Sequence, residues 1–512
     1  MVVNRIGREI PKNIQGIGKL KPYEGVFKKT ALGVKKAPKI TFQKRGETKI
    51  IDSLKQAVIK AGVRNGMTIS FHHHLRNGDY VVEMVLDILS DLGIRGLSIV
   101  PTALFPVHQS IIKYIRQGVI TSIQGSVNGP IGEISSRGVF DFPVVLRSHG
   151  GRARAIEAGD VEVDIAFIAA PSADTYGNLN GIDGPSACGS LGYTMTDAMY
   201  ADKVIAITDH LVDYPLSPIS IPQTYVDYVV KVEKIGDPKG IISGTLEITK
   251  NPLRLIIAKK VVEVIEASGL LMDGFSFQAG AGGTSLAVAK FVGEKMEKKG
   301  IKGSFGSGGI TGYFVKMLEK KLFRTLLDVQ SFDLEAVQSL KNNPNHLEMS
   351  ASFYANPHNK GCAVNKLDTV ILGATQIDKD FNVNVNTESG GLLLHGIGGH
   401  MDTAAGAKLT IIATPLLRGR MPIVVDKVIT VTTPGETVDV LVTERGIAVN
   451  PARSDLIGKL KEAKLPIKDI RDLNKEAYNL TGIPEEPQFT DKIIGLVEYR
   501  DGTIIDVIRQ VV

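Results

Sequence analysis

The chain repeats one pattern of blocks after about two hundred residues, and this internal repeat constrains the fold more than any other feature. Three pairs of matching positions are separated by 206, 204 and 204 residues: Ser70 and Ser276, Asp164 and Asp368, and Asn178 and Asn382. A near-constant separation across three separate blocks predicts a tandem duplication of one domain. The cleft between two such copies is then the expected place for an active site.

Apolar patterns typical of strands alternate with patterns typical of helices in both copies. The first copy predicts strands at 67–71 and 97–101, a helix capped by Asp79 and a helix at 109–117. The second copy predicts a strand at 275–279, a helix at 285–298 closed by Gly300, a strand at 303–305, and a Gly-rich loop at 306–312 before a helix that ends near 321. The chain is therefore predicted to be α/β, with two tandem, mainly parallel sheets covered by helices.

Composition along the chain indicates three regions. Residues 1–46 form a basic N-terminal extension, residues 47–240 the first domain and residues 241–512 the second domain. The Pro- and Gly-containing stretch 236–252 is the expected junction, followed by a helix at 253–267. Much of the net charge of +6 lies in the extension. It is interpreted either as a solvated arm packed on the domain or a neighbouring subunit, or as a docking strip for an acidic partner.

Composition also excludes several classes of protein. Of the 512 residues, 43% are hydrophobic and 22% are charged, which is typical of a globular protein. The most apolar run, 165–170, has the length of a strand, so no membrane span is predicted, and the first residues show no signal-peptide pattern. Few aromatic residues accompany the basic ones, so nucleic acid is not an expected partner. The two cysteines, Cys188 and Cys362, fit a reducing compartment, and we expect a cytoplasmic protein.

Three Gly-rich segments in the second copy are candidate anion or oxyanion sites: residues 278–283, 306–312 and 395–402. Gly-rich turns between strands and helices present backbone N–H groups at the carboxyl edge of a sheet. None has the spacing and downstream acid of a dinucleotide fingerprint. Any single segment of this kind is also compatible with simple turn geometry.

Two polar clusters in the first copy are candidate ligand contacts. The run His72, His73 and His74 lacks a further metal ligand at suitable spacing, so hydrogen bonding or carboxylate binding is the favoured interpretation and no metal is predicted. The segment 147–152 places Arg147, His149 and Arg152 around a Gly-Gly turn, which suits bidentate binding of a polycarboxylate. A surface turn with solvated arginines is the alternative.

Seven ordered motifs together resemble the CoA-transferase superfamily, and within it the alpha subunits of citrate lyase. The motifs are Phe71-His-His-His-Leu-Arg-Asn-Gly-Asp79, Arg147-Ser-His-Gly-Gly-Arg152, Gly189-Ser-Leu-Gly-Tyr193, Leu327-Asp-Val-Gln-Ser-Phe-Asp333, Asn343-Pro-Asn-His346, Gly398-Gly-His-Met-Asp402 and Gly446-Ile-Ala-Val-Asn-Pro-Ala-Arg453. They cover essentially the whole chain. The resemblance implies a pair of CoA-transferase domains, which agrees with the duplication inferred from the repeat.

The resemblance also implies a reaction and partners. Citrate would replace acetate on acetyl-acyl-carrier-protein, giving citryl-acyl-carrier-protein and acetate. A beta subunit would then cleave the citryl thioester, so the chain would be part of a hetero-oligomer. The CoA-like prosthetic group would be carried by the acyl carrier (gamma) subunit, and no cofactor would be attached covalently to this chain.

Many CoA-transferases use a covalent glutamate near the segment that matches 327–333, where this chain has Asp328, Val329 and Gln330. The missing glutamate favours a ternary complex and a mixed anhydride over a covalent enzyme intermediate. Glu388, beside Gly390 and Gly391, is the alternative nucleophile, or else an exposed turn residue. Another short-chain acyl-CoA transferase and a non-catalytic carrier-docking scaffold remain alternative functions, and a nucleotide-binding oxidoreductase ranks last for want of a fingerprint.

The predicted site residues fall into two groups. Catalytic roles, as oxyanion donors, orienting groups or nucleophile, are assigned to Ala281, Gly282, Gly283, Gln330, Glu388, Gly398, Gly399 and His400. Substrate binding is assigned to His72, His73, His74, Arg147, His149, Gly150, Arg152 and Asp402.

Overall fold

A computed structural model describes residues 1–26, 28, 37, 46–242, 247–280 and 282–512. The first half is built on a sheet of seven strands, all paired in parallel. Across the sheet, the strands are Ile50–Ile51, Tyr228–Lys231, Lys203–Thr208, Ile165–Ala169, Thr68–Phe71, Leu97–Pro101 and Ile120–Ile123. The central strands are almost entirely buried, as expected for a parallel sheet covered on both faces.

The second half is built on a sheet of eight strands in the same spatial arrangement. In order across the sheet, they are His346–Glu348, Phe323–Ser331, Gly303–Ile310, Phe277–Ala279, Thr369–Leu372, Leu409–Ala413, Val440–Val442 and Ile447–Val449. Only the last of these pairings is antiparallel. The predicted fold class, two tandem α/β units with mainly parallel sheets, is confirmed.

Equivalent carboxylates make equivalent hydrogen bonds in the two halves, which shows the duplication at the level of single contacts. Asp164 accepts from the backbone N–H of Thr68, and Asp368 accepts from that of Ser276. Ser276 therefore corresponds to Thr68 in the structure, and its predicted pairing with Ser70 is wrong by two residues. Further along, Asp174 and Asp378 each accept from the N–H four residues downstream, in matching turns. Each of these turns belongs to a small three-stranded sheet beside the main sheet.

Helices cover both sheets. Their bounds are Leu54–Ala61, Val81–Asp91, Ile111–Arg116, Pro130–Ser136, His149–Glu157, Thr194–Tyr200, Pro252–Ser268, Gly283–Lys299, Gly312–Glu319, Leu334–Asn342, Ala351–Ala355, His400–Gly406, Ser454–Glu462 and Ile470–Thr481. The elements predicted from periodicity are confirmed to within a few residues at their ends. Gly300 closes its helix in the left-handed conformation as expected, at φ +68°. Asp79 also caps as expected, by accepting from the N–H of Val82 at 3.1 Å, although the helix begins at Val81.

The predicted Gly-rich loop at 306–312 is wrong, because the strand that begins at Gly303 continues to Ile310. The glycines serve close packing inside the sheet. A Cβ on Gly306 would lie 2.6 Å from the ring of Phe314, and one on Gly309 would lie 2.1 Å from the ring of Phe332. The strand pairing also shifts register between Gly308 and Gly309, and Gly308 has φ +102°. Glycine in a strand interior commonly marks such a bulge or close approach.

The two chain ends pack together across the boundary between the halves. The final hairpin, Phe489–Glu498 and Ile504–Val511, extends the short strand Val144–Leu146 of the first half. The N-terminal residues lie on this hairpin: Tyr23 is fully buried, and Asn4 donates to the carbonyl of Ile505 at 2.7 Å. The hairpin lies late in the predicted second domain yet pairs with a strand of the predicted first domain. The domain limits at 46/47 and 240/241 stay a prediction.

In the described part of the basic extension, residues 1–26 with 28, 37 and 46, Arg8 packs against the second half of the chain. Arg8 donates to the carbonyl of Val428 at 2.6 Å and lies 3.3 Å from the carboxylate of Asp506. Several of its basic residues lie outside the described residues: Lys29, Lys35, Lys36, Lys39, Lys44 and Arg45. A docking role for this extension stays a prediction.

Candidate active site

The three histidines follow the carboxyl end of the central strand Thr68–Phe71, and all three are buried. His72 lies 3.5 Å from the carboxylate of Asp197. His74 stacks on the ring of Tyr193, with 5.6 Å between the ring centroids. Burial lowers the pKa of each of these two imidazoles well below the ordinary value, so both are neutral at physiological pH.

His73 joins the two halves through Gln330. Its Nε2 lies 3.1 Å from Oε1 of Gln330, and Nε2 of Gln330 donates to the carbonyl of His73 at 3.0 Å. Since a carbonyl only accepts, the amide oxygen must face the ring, and His73 carries its proton on Nε2. Thr102 supports this tautomer by hydrogen-bonding to Nδ1. The sequence prediction that both residues belong to one site is consistent with this contact.

An aromatic stack places His149 beside this pair. The ring of Tyr193 lies 4.8 Å from that of His73 and 4.5 Å from that of His149, measured between centroids. Burial, with the positive charge of Arg152, lowers the pKa of His149 to about 3, while burial raises the pKa of Tyr193. Imidazole and phenol are therefore both neutral, and the stack contributes hydrogen-bonding edges without adding charge.

Asp402 fixes the N-terminus of the helix that carries His149. Its carboxylate accepts from the backbone N–H of Gly150 at 2.9 Å and from the hydroxyl of Ser148 at 2.8 Å. A carboxylate stabilises a helix N-terminus through these free N–H groups and the helix dipole. Gly150 is required here, because a Cβ would lie 2.1 Å from the carbonyl oxygen of Ala355. Asp402 and Gly150 thus position His149, and substrate contact by either stays a prediction.

Gly398 and Gly399 lie beside His149 and at the start of the helix His400–Gly406. The carbonyl of Gly398 accepts from the N–H of His149 at 2.9 Å. Both ring nitrogens of His400 are engaged, by Thr433 at 2.7 Å and by the carbonyl of Gly373 at 2.9 Å. Burial lowers the pKa of His400 to about 4. His400 therefore holds the Gly398–Gly399 turn against the sheet, and its predicted orienting role stays a prediction.

The other predicted oxyanion segment follows the strand Phe277–Ala279. Gly282 caps the helix Gly283–Lys299, whose first backbone N–H groups have no partner within the helix. Two residues before Gly280, the amide of Gln278 donates to the hydroxyl of Tyr354 at 2.7 Å, and that hydroxyl touches Gly399. Ala281, the third residue of the predicted segment, lies outside the described residues.

The two predicted citrate-binding arginines are held by internal carboxylates. Arg152 donates to Asp197 at 2.8 and 2.6 Å and to the carbonyl of Val100 at 2.7 Å. Arg147 binds Glu498 through two N–H groups at 2.9 and 3.0 Å. Both side chains are buried, so a solvated surface turn is excluded. Citrate binding by either arginine stays a prediction, and it requires sharing these partners.

Glu388 lies in a turn that packs near the C-terminal hairpin. Its backbone N–H donates to the carbonyl of Leu392, and its own carbonyl accepts from the N–H of Gly391. A Cβ on Gly391 would lie 2.6 Å from the ring of Phe489. The side chain is half-buried, and its role as a nucleophile stays a prediction.

Arg76 belongs to the same cleft and was not among the predicted site residues. Its guanidinium lies 5.2 Å from the ring centroid of Phe105 in the first half and 4.9 Å from that of Phe332 in the second. Its position two residues after the third histidine was a signal in the sequence, but the second aromatic ring is supplied by a distant segment.

A continuous series of contacts joins the candidate site residues of the two halves. In order, its members are His73, Tyr193, His149, Gly398, Gly399, Tyr354, Gln278, Gly308, Gly309, Phe332 and Arg76. Within the described part of the chain, no group of three His, Cys, Asp or Glu side chains is placed to hold a metal ion. The same residues include no helix that is long and apolar enough to cross a membrane.

Comparison with known proteins decides the family. The profile of the citrate lyase alpha subunit family (CitF) matches residues 47–511. The chain belongs to this family. It is 49% identical over 493 residues to the citrate lyase alpha chain of Klebsiella pneumoniae, with 96% of each chain covered. It is 48% identical over 466 residues to that of Haemophilus influenzae, covering 91% of this chain and 93% of the relative.

Solved structures agree with this membership. A crystal structure of the alpha subunit of citrate lyase from Streptococcus mutans, in complex with citrate, superposes with a TM-score of 0.96 at 47% identity. The match covers 99% of this chain and 100% of that one. A Pseudomonas malonate decarboxylase hetero-tetramer in complex with malonate matches at 16% identity and a TM-score of 0.61, over 86% of this chain and 89% of that one, and shares the fold.

Proposed function

We propose that this chain exchanges citrate for acetate on an acetyl-acyl-carrier thioester, as the transferase component of a citrate lyase. The observation that carries the proposal is the full-length similarity, at 47% identity, to a citrate lyase alpha subunit whose crystal contains citrate. The cleft supports it with neutral hydrogen-bonding groups from both halves, including His73, His149 and Gln330.

The reaction that we propose has two acyl transfers. A carboxylate oxygen of citrate attacks the acetyl carbonyl and expels the carrier thiolate, which leaves a mixed anhydride of citrate and acetate. The thiolate then attacks the citryl carbonyl, and acetate departs. Atoms and charge balance without a covalent bond to the protein. Gln330 supports this route, because an amide held on both sides by His73 is not a nucleophile at neutral pH.

Each tetrahedral intermediate carries an oxyanion that the protein must stabilise. We infer that backbone N–H groups at Gly282–Gly283 and Gly398–Gly399 are the donors, since each segment lies at the start of a helix. Removing one oxyanion donor costs about 10²–10³ in rate in other enzymes. Holding the two bound substrates in the reactive orientation supplies the rest of the rate enhancement.

The acyl donor would be supplied by partner subunits. An acyl carrier (gamma) subunit would bear the CoA-like arm, and a citryl lyase (beta) subunit would consume the product. Family membership implies an assembly of several chains, and the identity of these two partners is part of the proposal. A cytoplasmic location is likewise part of the proposal.

The test follows acyl exchange and protein adducts in one experiment. The purified chain is incubated with acetyl-CoA, standing in for the acetyl carrier, and isotopically labelled citrate. Mass spectrometry then measures citryl-CoA and searches the protein for acyl or CoA adducts. Citryl-CoA without an adduct is the expected result. An adduct on Glu388, lost in Glu388→Gln and kept in the exposed control Glu486→Gln, would replace the mixed-anhydride route with a covalent one. No exchange, even with an acyl carrier supplied, would overturn the transferase function.

A further inference from the structure

Arg76, two residues after the third histidine, is held in an unusual backbone conformation. Its φ is +51°, in the left-handed region that non-glycine residues seldom occupy and that costs of order 1–3 kcal/mol. The next turn is packed too tightly to relax: a Cβ on Gly78 would lie 2.0 Å from the carbonyl oxygen of Asp237. The fold therefore aims the Arg76 side chain in one direction.

The guanidinium of Arg76 lies over two rings, one from each half. It lies 5.2 Å from the centroid of Phe105 and 4.9 Å from that of Phe332. Phe105 is itself fixed, because its N–H donates to Nδ1 of His108 at 2.9 Å. These ring contacts satisfy none of the guanidinium N–H groups, which point outward along its edge and need hydrogen-bond acceptors.

Two of the three guanidinium nitrogens have no hydrogen-bond partner in the part of the chain that the structure describes. Nε and Nη1 of Arg76 are buried without a hydrogen-bond partner, and no salt bridge joins the residue to a carboxylate there. This contrasts with Arg147 and Arg152, each of which holds a carboxylate. A buried charge without a partner is costly, so a guanidinium with two unpartnered nitrogens points to an external anion.

The neighbours of Arg76 do not neutralise it. Burial lowers the pKa of His73 and of His149, so both imidazoles are neutral. The phenol of Tyr193 is neutral as well, because burial raises its pKa. Arg76 is therefore a positive charge beside neutral imidazole and phenol groups, whereas the nearby charge of Arg152 is paired with Asp197. An unpaired positive charge in such surroundings favours an anion.

We propose that Arg76 binds a carboxylate of citrate across the junction of the two halves. The inference rests on the proposed function, from which it takes citrate as the ligand. The planar guanidinium matches a carboxylate through two parallel N–H···O bonds. Because Phe332 belongs to the second half, binding at this edge would also depend on the two halves keeping their relative position. A phosphate of the CoA-like arm has the same anionic chemistry, and the experiment separates the two sources.

The experiment measures direct binding with three variants. Arg76→Gln removes the positive charge. Arg76→Lys keeps the charge but cannot donate two parallel hydrogen bonds to one carboxylate. Arg64→Gln is the control, at an exposed arginine away from the candidate site. Calorimetry gives the dissociation constants for citrate and, separately, for acetyl-CoA. Arg76→Gln is expected to weaken citrate binding by about 100-fold, and Arg76→Lys by less. The affinity for acetyl-CoA should change by less than about 3-fold in every variant. Thermal melting establishes that each variant is folded.

The outcomes separate this inference from the proposed function. Unchanged citrate affinity in folded Arg76→Gln and Arg76→Lys would overturn the inference while acyl exchange by the unaltered chain still stood. Loss of acetyl-CoA binding in place of citrate binding would also overturn it and assign Arg76 to a phosphate. The unaltered chain could fail to exchange acyl groups while Arg76→Gln still lost citrate binding. In that case the carboxylate site would stand and the transferase function would fall.

Discussion

The side-chain amide of Gln330 is hydrogen-bonded to both the imidazole and the backbone carbonyl of His73, from the opposite half of the molecule, at 3.1 and 3.0 Å. The pair is buried and lies at the carboxyl end of the first sheet. It fixes the tautomer of His73 and fills the segment in which many CoA-transferases carry a glutamate. Other buried contacts, such as that of Glu498 with Arg147, likewise join residues far apart in the sequence.

Gln330→Glu is expected to destabilise the protein. One carboxylate oxygen would face the carbonyl of His73, where the amide now donates, so one buried hydrogen bond would become a contact between two acceptors. Leaving a buried group unsatisfied costs about 1–3 kcal/mol. Denaturant unfolding measures the change, with Gln15→Glu as the exposed control. Equal stability of the two variants would show that the His73 pair is not rigid.

Gly399→Ala is expected to disturb the cleft without straining its own backbone. Gly399 has φ −96° and ψ 13°, which alanine tolerates, but the new Cβ would lie 2.6 Å from the hydroxyl of Tyr354. That hydroxyl must move and lose its bond from Gln278. We expect a loss of about 1–3 kcal/mol in the free energy of unfolding.

Tyr354→Phe supplies the matched test of that clash, because it removes the oxygen that the Cβ would meet. In a double-mutant cycle, the cost of Gly399→Ala should be smaller when Tyr354 is already phenylalanine. Additive effects of the two changes would contradict the clash as the cause.

Glu498→Gln is expected to loosen the C-terminal hairpin. Glu498 accepts from Arg147 at 2.9 and 3.0 Å and from Arg154 at 3.1 Å, and all three side chains are buried. Removing its charge leaves two buried guanidinium groups under-compensated, and breaking such an interaction costs about 3–5 kcal/mol. Urea unfolding measures this loss, with the exposed Glu462→Gln as the control. A loss no larger than in the control would mean that other contacts hold the hairpin.

The free energy of unfolding is expected to fall as the pH is lowered, because His400 takes up a proton more readily in the unfolded chain. Burial lowers its folded-state pKa to about 4 from an ordinary value of 6.5, so the unfolded chain binds more protons between these two pH values. Stability contributed by the neutral imidazole is therefore complete above 6.5 and is lost as the pH falls towards 4. From pH 6.5 to 4.5, the unaltered chain should lose about 2–3 kcal/mol more than His400→Gln does. Parallel pH dependences in urea unfolding would contradict this assignment.

The local pattern of the sequence was sufficient for most of the architecture. The repeat predicted two equivalent units, and helical and strand periodicity placed elements such as Val81–Asp91 and Leu97–Pro101 within a few residues. The error at Gly303–Ile310 has a physical cause. Glycines indicate a loop when judged by local propensity, whereas here they make room for Phe314 and Phe332, which follow the strand in the chain.

The candidate site was only partly accessible from the sequence. Motifs marked His73, His149, Gln330 and Gly398 as members of one site, and the structure places them around one cleft. The partners of Arg147 and Arg152 were not predictable, because Glu498 lies 351 residues from Arg147 and Asp197 carries no local mark of its role.

By itself, the sequence determined the duplication, the α/β class, the glycines near the helix starts and the run of three histidines, because each is recorded in spacing or residue type over short distances. The tertiary structure alone decided which charged groups are free. Arg152 is held by Asp197, whereas Arg76 lies over rings from both halves, and its Nε and Nη1 have no partner among the described residues. Charge pairing depends on which distant segments meet, and that is set by how the two sheets pack together.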